Sequence, residues 1–167
     1  MTGQVIGQNM PNGYAGSYAR QPDMVVDTSP AAGVIPFGAG LVYDGSAVEL
    51  PGDSSTAAQF VGVAVREVKS ATDYLNQNVG QYNIGDAVPV MKRGCVNVIC
   101  QNGSPALGGA VYLRVKLNAG TYPNAVVGGF EAAADSTNSV QLTNCQWAGT
   151  ADANGVAEMR IMTIINA

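Results

Sequence analysis

The chain of 167 residues contains no histidine, so it lacks a common general base and a common metal ligand. Nucleophilic sites of the serine–histidine–aspartate and cysteine–histidine types are therefore excluded. Zinc sites built on histidine are excluded too, and the three cysteines form no C-x-x-C pair that would predict structural zinc. We expect neither a metal nor any other cofactor.

Cysteine is scarce as well, with Cys95, Cys100 and Cys145 as its only occurrences. An odd number fits poorly with a complete disulfide framework. On one strand Cys95 and Cys100 would lie roughly 17 Å apart, so a direct bridge would need a sharp bend. We expect buried free thiols in a protein made in a reducing cytoplasm.

Charged residues make up only 12% of the chain, and the net charge is -4. This composition lacks the basic footprint of a nucleic-acid-binding protein. No apolar run approaches the roughly 20 residues of a membrane span. The first five residues also lack the basic and apolar regions of a secretory signal. We expect neither a nucleic acid nor a membrane as a partner, and a soluble product.

The carboxylates do not suggest a catalytic pair. Most aspartates follow or precede turn residues, as in Asp44-Gly45, Gly85-Asp86 and Asp152-Ala153-Asn154-Gly155. Turn formation explains them without catalysis. The glutamates lie in or near strand-like segments, where we expect them to be solvent-facing or paired. No glycine-rich segment has the pattern of a phosphate-binding loop. The sequence therefore predicts no catalytic residues, and we expect a protein that is not an enzyme.

Glycine and short alternating apolar segments are abundant, which indicates an all-β fold with many turns. The clearest strand covers residues 60–68, where Val61, Val63 and Val65 should share a face that points inward. Gly62 and Ala64 leave the other face thin enough for a second backbone to approach. Further strand-like segments are residues 24–28, 34–43, 47–50, 108–115, 140–147 and 156–165, with a hairpin signal at Asp44-Gly45. Residues 130–134 could be a short helix or the approach to a strand, and residues 70–83 are predicted to be a polar excursion.

Residues 85–100 are the stretch around which the other strands should be arranged. The segment predicts two short strands, or one strand broken by a bulge. Pro89 cannot donate a hydrogen bond to a neighbouring strand, so we expect it at a sheet edge, a bulge or a strand start. Lys92 and Arg93 form a small basic concentration within it.

Residues 1–23 contain glycines and prolines but little periodicity. Tyr14 and Tyr18 favour an arm that orders against a partner, while a loosely packed tail is the alternative. We therefore predict an N-terminal arm over residues 1–23 and a single β domain over residues 24–167. The fold class is a small β-barrel or β-sandwich with an extended N-terminal arm.

Three features of the chain resemble the capsid cement (head decoration) proteins of tailed bacteriophages. The first is the Gly/Pro/Tyr-rich N-terminal segment, and the second is the strand of residues 60–68 followed by the polar excursion with Tyr82. The third is the stretch of residues 82–94, which is similar to a family strand of the form G-D-x-V-x-V-x-x-x-G. The likeness covers roughly residues 55–115, with a weaker likeness elsewhere, and the order and spacing of the features carry it.

The resemblance implies a structural virion protein without catalytic activity that binds the outside of the expanded capsid. It would stabilise the capsid by bridging neighbouring major capsid protein subunits, after synthesis in the host cytoplasm. The implied partners are the major capsid protein and further copies of the chain, for which we expect a homotrimer ahead of a homodimer. Local chemistry nominates the candidate contact residues Tyr14, Tyr18, Arg20, Lys92 and Arg93.

Two other virion roles remain open at this point. A carbohydrate-binding, adhesin-like β-sandwich would need an exposed aromatic platform, but Trp147 is the only tryptophan and the seven tyrosines are scattered. The other role is that of a tail component, and self-polymerisation of the protein into tubes would support that interpretation.

Overall fold

The computed structural model describes residues 11–67 and 80–165. Within these ranges the regular structure is eleven β-strands and one 3-10 turn at Ala57–Gln59. The strands are β1 Tyr18–Pro30, β2 Ile35–Pro36, β3 Gly40–Asp44, β4 Ala47–Glu49, β5 Phe60–Ala64, β6 Gln81–Tyr82, β7 Ala87–Ile99, β8 Ala110–Arg114, β9 Phe130–Glu131, β10 Ser139–Trp147 and β11 Val156–Ile161. The all-β prediction is confirmed, and the main sheet curls into a half-barrel.

Strand β7 is the centre of the nine-stranded main sheet. Strand β1 pairs with one edge of β7 along most of the length of β7. The other edge pairs with β5 and then with β11, so the sheet continues in two directions, as β5-β3-β4 and as β11-β10-β8-β9. The small second sheet contains β2 and β6. The predicted organising role of residues 85–100 is therefore confirmed.

The structure selects one of the two alternatives for this central stretch, a single strand with a bulge. Val25 lies opposite Arg93 while Val26 lies opposite Met91, so β7 carries one extra residue at Lys92. Pro89 is the third residue of β7 and lies opposite Thr28. Its position close to the strand start agrees with its inability to donate a ladder hydrogen bond.

Two hydrophobic clusters form the core, and β5 contributes to both. Phe60, Val63 and Val65 pack in the larger cluster, with Trp147. The smaller cluster includes Val61, Ala64, Ile35, Leu41 and Tyr82. The prediction that the three valines share one face is wrong, because Val61 occupies a bulge: Leu41 pairs with Gly62 but Val42 pairs with Phe60. That extra residue reverses the alternation.

Gly62 lies where another backbone approaches closely, as predicted. A Cβ atom at this position would collide with the carbonyl oxygen of Met91 on β7. The absence of a side chain therefore lets β5 pack against the central strand at this point.

Other local predictions are largely confirmed. Asp44 pairs with Ala47 across a two-residue turn in which Gly45 has φ 59°, so the hairpin forms where the Asp-Gly signal placed it. Of the two alternatives for residues 130–134, a strand is found at Phe130–Glu131. The last strand pairs with β7 and β10 but ends at Ile161. All three cysteines are free; Cys95 and Cys145 are buried, and Cys100 is half-buried.

Strand β1 begins at Tyr18, earlier than the strand predicted from Met24, because Tyr18 and Arg20 pair with β7. Residues 1–10 and most of the predicted excursion at 70–83 lie outside the described residues. The division into an arm over residues 1–23 and a domain over residues 24–167 stays a prediction.

Candidate functional site

The five residues nominated as contacts gather at the pairing of β1 with β7. Tyr14 lies just before β1, Tyr18 and Arg20 are in β1, and Lys92 and Arg93 are in β7. The first three are separated from Lys92 and Arg93 by more than seventy residues in sequence, and the antiparallel pairing of β1 with β7 brings the two groups together. Their role as contacts stays a prediction, and the structure shows the state of each side chain.

The segment just before β1 is held on the sheet by hydrogen bonds of Asn12. Its backbone N–H donates to Oδ2 of Asp152 over 2.9 Å, and its side-chain amide donates to the carbonyl of Val156 over 2.8 Å. The amide of Asn97 donates in turn to the carbonyl of Asn12 over 2.7 Å. The N–H of Asn12, ahead of those of Val156 and Asn154, keeps the pKa of Asp152 below its ordinary value. Part of the predicted arm is thus fastened to the sheet.

Tyr14 is the most exposed aromatic contact candidate. Its exposed fraction is 72%, and the guanidinium carbon of Arg66 lies 5.5 Å from its ring centroid. Arg66 also lies 5.8 Å from the ring centroid of Phe37. A cation above the ring restrains Tyr14 through the ring quadrupole while leaving it accessible. The arrangement suits an aromatic side chain that a partner could cover.

Tyr18 and Lys92 are engaged within the chain. The Tyr18 hydroxyl donates to Glu67 over 2.8 Å, and burial followed by this carboxylate raises the pKa of Tyr18 to about 12. Lys92 is buried; its Nζ lies 2.9 Å from a carboxylate oxygen of Asp27 and 5.6 Å from the ring centroid of Tyr43. Hydrogen bonds with Tyr43 and then Asp27 raise the pKa of Lys92. Both side chains are therefore occupied by partners within the chain.

Charged side chains cover the outer side of β1, β7 and β11. We call this the outer arginine surface and define it by Arg20, Asp23, Arg93, Glu158 and Arg160. Nε of Arg20 lies 2.6 Å from a Glu158 oxygen, and Nη2 of Arg93 lies 2.7 Å from an Asp23 oxygen. The Arg160 Nε–H donates to the sulfur of Cys95 over 3.4 Å. Arg160 and Glu158 were not singled out from the sequence, because only the strand register places β11 beside β7.

An open groove of about 570 Å³ provides a second exposed feature, apolar in character. Phe37, Ile99, Tyr122 and Val126 contribute to its walls. The loop that bears Tyr122 and Val126 is tied down by Gln101, which accepts a hydrogen bond from the Val126 N–H and donates to the Val126 carbonyl. The loop therefore forms a defined wall of the groove.

A buried ionic cluster lies between β8 and β9, and the sequence did not predict it. Arg114 and Glu131 have fully buried side chains and form an ion pair, and Nη1 of Arg114 lies 3.0 Å from Asp135. The ring of Tyr122 covers the guanidinium, with 5.4 Å from Arg114 Cζ to the ring centroid. An arginine in an alternating strand gives no sign that it faces inward. The sequence predicted that glutamates would be solvent-facing or paired, and Glu131 is paired.

The electrostatics of this cluster follow from its burial. Burial raises the pKa of Glu131 although Arg114 donates to it. Burial would also raise the pKa of Asp135, but hydrogen bonds from Asn118, Arg114 and Asn138 outweigh it, and the pKa is lowered. The cluster has the character of a structural element that fixes β8, β9 and the following loop.

Among residues 11–67 and 80–165, no group of three or more cysteine and acidic side chains is placed to hold a metal ion. No helix in these ranges has the length and apolarity needed to cross a membrane.

Comparison with known proteins gives two findings. A family model described as "Structural cement protein (E217 gp24/Pam3 gp6)" matches residues 2–162. A chain from the solved structure "The capsid of Myoviridae Phage XM1" superimposes with a TM-score of 0.67 at 18% identity, over 98% of this chain and 99% of that one. At this identity the likeness concerns the fold. No curated protein sequence matches the chain.

Proposed function

The chain belongs to the family of phage structural cement proteins, and from this premise we propose that it binds the outside of the expanded capsid and bridges neighbouring major capsid protein subunits. The family match over residues 2–162 is the observation that carries the proposal. The fold shared with a chain of a myovirus capsid structure supports it. The role is structural and non-enzymatic, in a virion protein made in the host cytoplasm.

The contact surface that we propose is the outer arginine surface together with Tyr14. Tyr14, Arg20 and Arg93 have the exposure needed to touch a partner, with exposed side-chain fractions of 63% for Arg20 and 46% for Arg93. Tyr18 and Lys92 contribute by holding β1 and β7 in place. Residues 1–23 would act as the arm and residues 24–167 as the body.

Stabilisation would follow from binding two neighbouring shell subunits at once. A single small interface is weak, but a bridge between two shell subunits gains affinity from both ends. Because the protein binds the assembled shell, binding stabilises that state relative to separated subunits. A homotrimer, ahead of a homodimer, would multiply the contacts of each bridge.

The test is co-sedimentation with expanded shells that lack this protein, scored for copies bound and for the melting temperature of the shell. We expect saturable binding at a fixed ratio to the shell subunit and a raised melting temperature. Tyr14→Ala should weaken binding, while Leu117→Ala, which alters another exposed apolar side chain, should not. Absence of binding at every salt concentration would refute the proposal.

A further inference from the structure

Two members of the outer arginine surface, Arg20 and Arg160, stand in one row with Cys95 and Gln146 across neighbouring strands. Arg20 of β1 lies opposite Cys95 of β7, Cys95 lies opposite Arg160 of β11, and Arg160 lies opposite Gln146 of β10. Neighbouring strands are spaced by roughly 4.8 Å, so the Cα atoms of Arg20 and Arg160 are separated by about 10 Å. Two arginine side chains at that spacing can reach one common point above the sheet.

Arg160 retains most of its hydrogen-bonding capacity. A guanidinium carries five N–H donors, and a thiol sulfur is a weak acceptor. Within the described ranges the hydrogen bond that Arg160 makes is the one to Cys95, and no carboxylate lies within ion-pair distance of it. Arg20, by contrast, has Glu158. Arg160 therefore presents unused donors beside an arginine that is already paired.

The space above the row is concave and open. A cleft of about 280 Å³ is lined by Arg20, Gln21, Pro22, Asp23, Gly94, Cys95 and Arg160. A second cleft of about 370 Å³ begins on the other side of the same two arginines and extends towards Leu107 and Gln146. Both clefts are large enough for a side chain of a partner. Arg20 and Arg160 stand at the boundary between them.

The charge of this surface is opposite to that of the whole chain. Its three arginines face two carboxylates, Asp23 and Glu158, which leaves one positive charge in excess, whereas the chain carries a net charge of -4. A planar guanidinium suits a carboxylate, to which it can donate two parallel hydrogen bonds. The complementary partner group is therefore an acidic side chain.

We propose that Arg160, assisted by Arg20, binds an acidic side chain of the capsid shell in the clefts that flank them. This inference rests on the proposed function and names the chemistry of one contact within it. Cys95 acts as a positioning residue, since its buried sulfur accepts the Nε–H of Arg160 and leaves the outer donors free for a carboxylate.

The experiment measures the affinity per site of purified full-length variants for expanded shells that lack the protein, over a series of salt concentrations. Arg160→Gln should raise Kd about tenfold or more, because a charge-assisted hydrogen bond is lost, and should reduce the dependence of binding on salt. Arg160→Lys keeps the charge but loses the bidentate hydrogen-bonding geometry of the guanidinium. Its Kd should therefore lie between those of the wild type and of Arg160→Gln. Lys116→Gln is the matched control: it removes the same charge from another exposed ion pair and should bind like the wild type.

The outcomes separate the two proposals. If the wild type does not bind shells, the proposed function and this inference both fall. If the wild type binds and Arg160→Gln and Arg160→Lys bind equally well, with the same salt dependence, the proposed function stands and this inference is overturned. Thermal melting of each variant identifies any loss of folding, and Arg160→Lys decides the matter if Arg160→Gln does not fold.

Discussion

The buried cluster of Arg114, Glu131 and Asp135 and the outer arginine surface both pair arginines with carboxylates, but they differ in access to water. The Arg114 and Glu131 side chains are fully buried, whereas those of Arg93 and Asp23 are 46% and 72% exposed. In the interior each charge depends on its partner, because an unpaired buried charge is very costly. At the surface water and salt replace either partner at little cost.

This difference separates stability from recognition. The buried cluster cannot exchange its partners without unfolding, so its contribution is to the fold. The outer pairs contribute little to folding and can rearrange around an incoming carboxylate. Substitutions in the two regions should therefore change different measurements. The variants below run from the buried cluster to the outer arginine surface, with Asp152→Asn, which lies outside both regions, as an intermediate case.

Glu131→Ala should have the largest effect, because it leaves Arg114 buried with Asp135 as its remaining carboxylate partner. Breaking a buried pair in this way costs about 3–5 kcal/mol of unfolding free energy. Urea denaturation followed by tryptophan fluorescence measures it, since Trp147 is buried in the main core.

The double variant Arg114→Met/Glu131→Leu sharpens this result. Replacing both charges by apolar groups of similar size leaves no buried arginine without its glutamate, while Asp135 keeps its hydrogen bonds from Asn118 and Asn138, so much of the loss should be recovered. A double variant as unstable as Glu131→Ala would show that the destabilisation comes from packing rather than from charge.

Asp152→Asn should have an intermediate effect that depends on pH. The pKa of Asp152 is lowered in the folded state, first by the N–H of Asn12, so its stabilising contribution is present above the ordinary value of 3.8. It is lost as pH falls through the lowered folded pKa. The melting temperature of the wild type should exceed that of Asp152→Asn at pH 7, and the gap should close below about pH 3.8. A gap that stays constant between pH 3 and pH 7 would contradict this assignment.

Arg20→Gln should have the smallest effect on stability, because its ion pair with Glu158 is exposed on the arginine side. We expect a shift in melting temperature of about 2 °C or less. The affinity of Arg20→Gln for expanded shells should nevertheless fall, whereas that of the control Lys116→Gln should not. Because the melting temperature hardly changes, loss of folding would not account for the weaker binding. If Arg20→Gln lowered the melting temperature strongly but left shell binding unchanged, the outer arginine surface would serve stability rather than recognition, which would contradict this prediction.

Much of the local structure could be predicted from the sequence. The central stretch, the hairpin at Asp44-Gly45 and the close approach at Gly62 each depend on neighbouring residues, namely a proline, an Asp-Gly turn and a missing Cβ. The bulge that moves Val61 into the second cluster could not be predicted, because it depends on how β3 lies against β5. The early start of β1 depends on pairing with β7 in the same way.

The candidate site shows the same division. The tyrosines and arginines before and within β1 and β7 could be chosen from their residue types, but their states could not. Lys92 is a contact candidate by its residue type but is buried near Asp27 and Tyr43, at the bulge in β7. Arg160 was not considered, since nothing near it in sequence distinguishes it from any other strand arginine.

By itself, the sequence determined the residue types, the all-β fold class and the absence of histidine chemistry, because these depend on composition and on short-range geometry. Tertiary structure alone decided which side chains meet. Arg20 and Arg160 become neighbours across β7, and Arg114 meets Glu131 across β8 and β9. Strand register joins residues that are far apart in the chain, and it is selected by the burial of whole faces rather than by any local pattern.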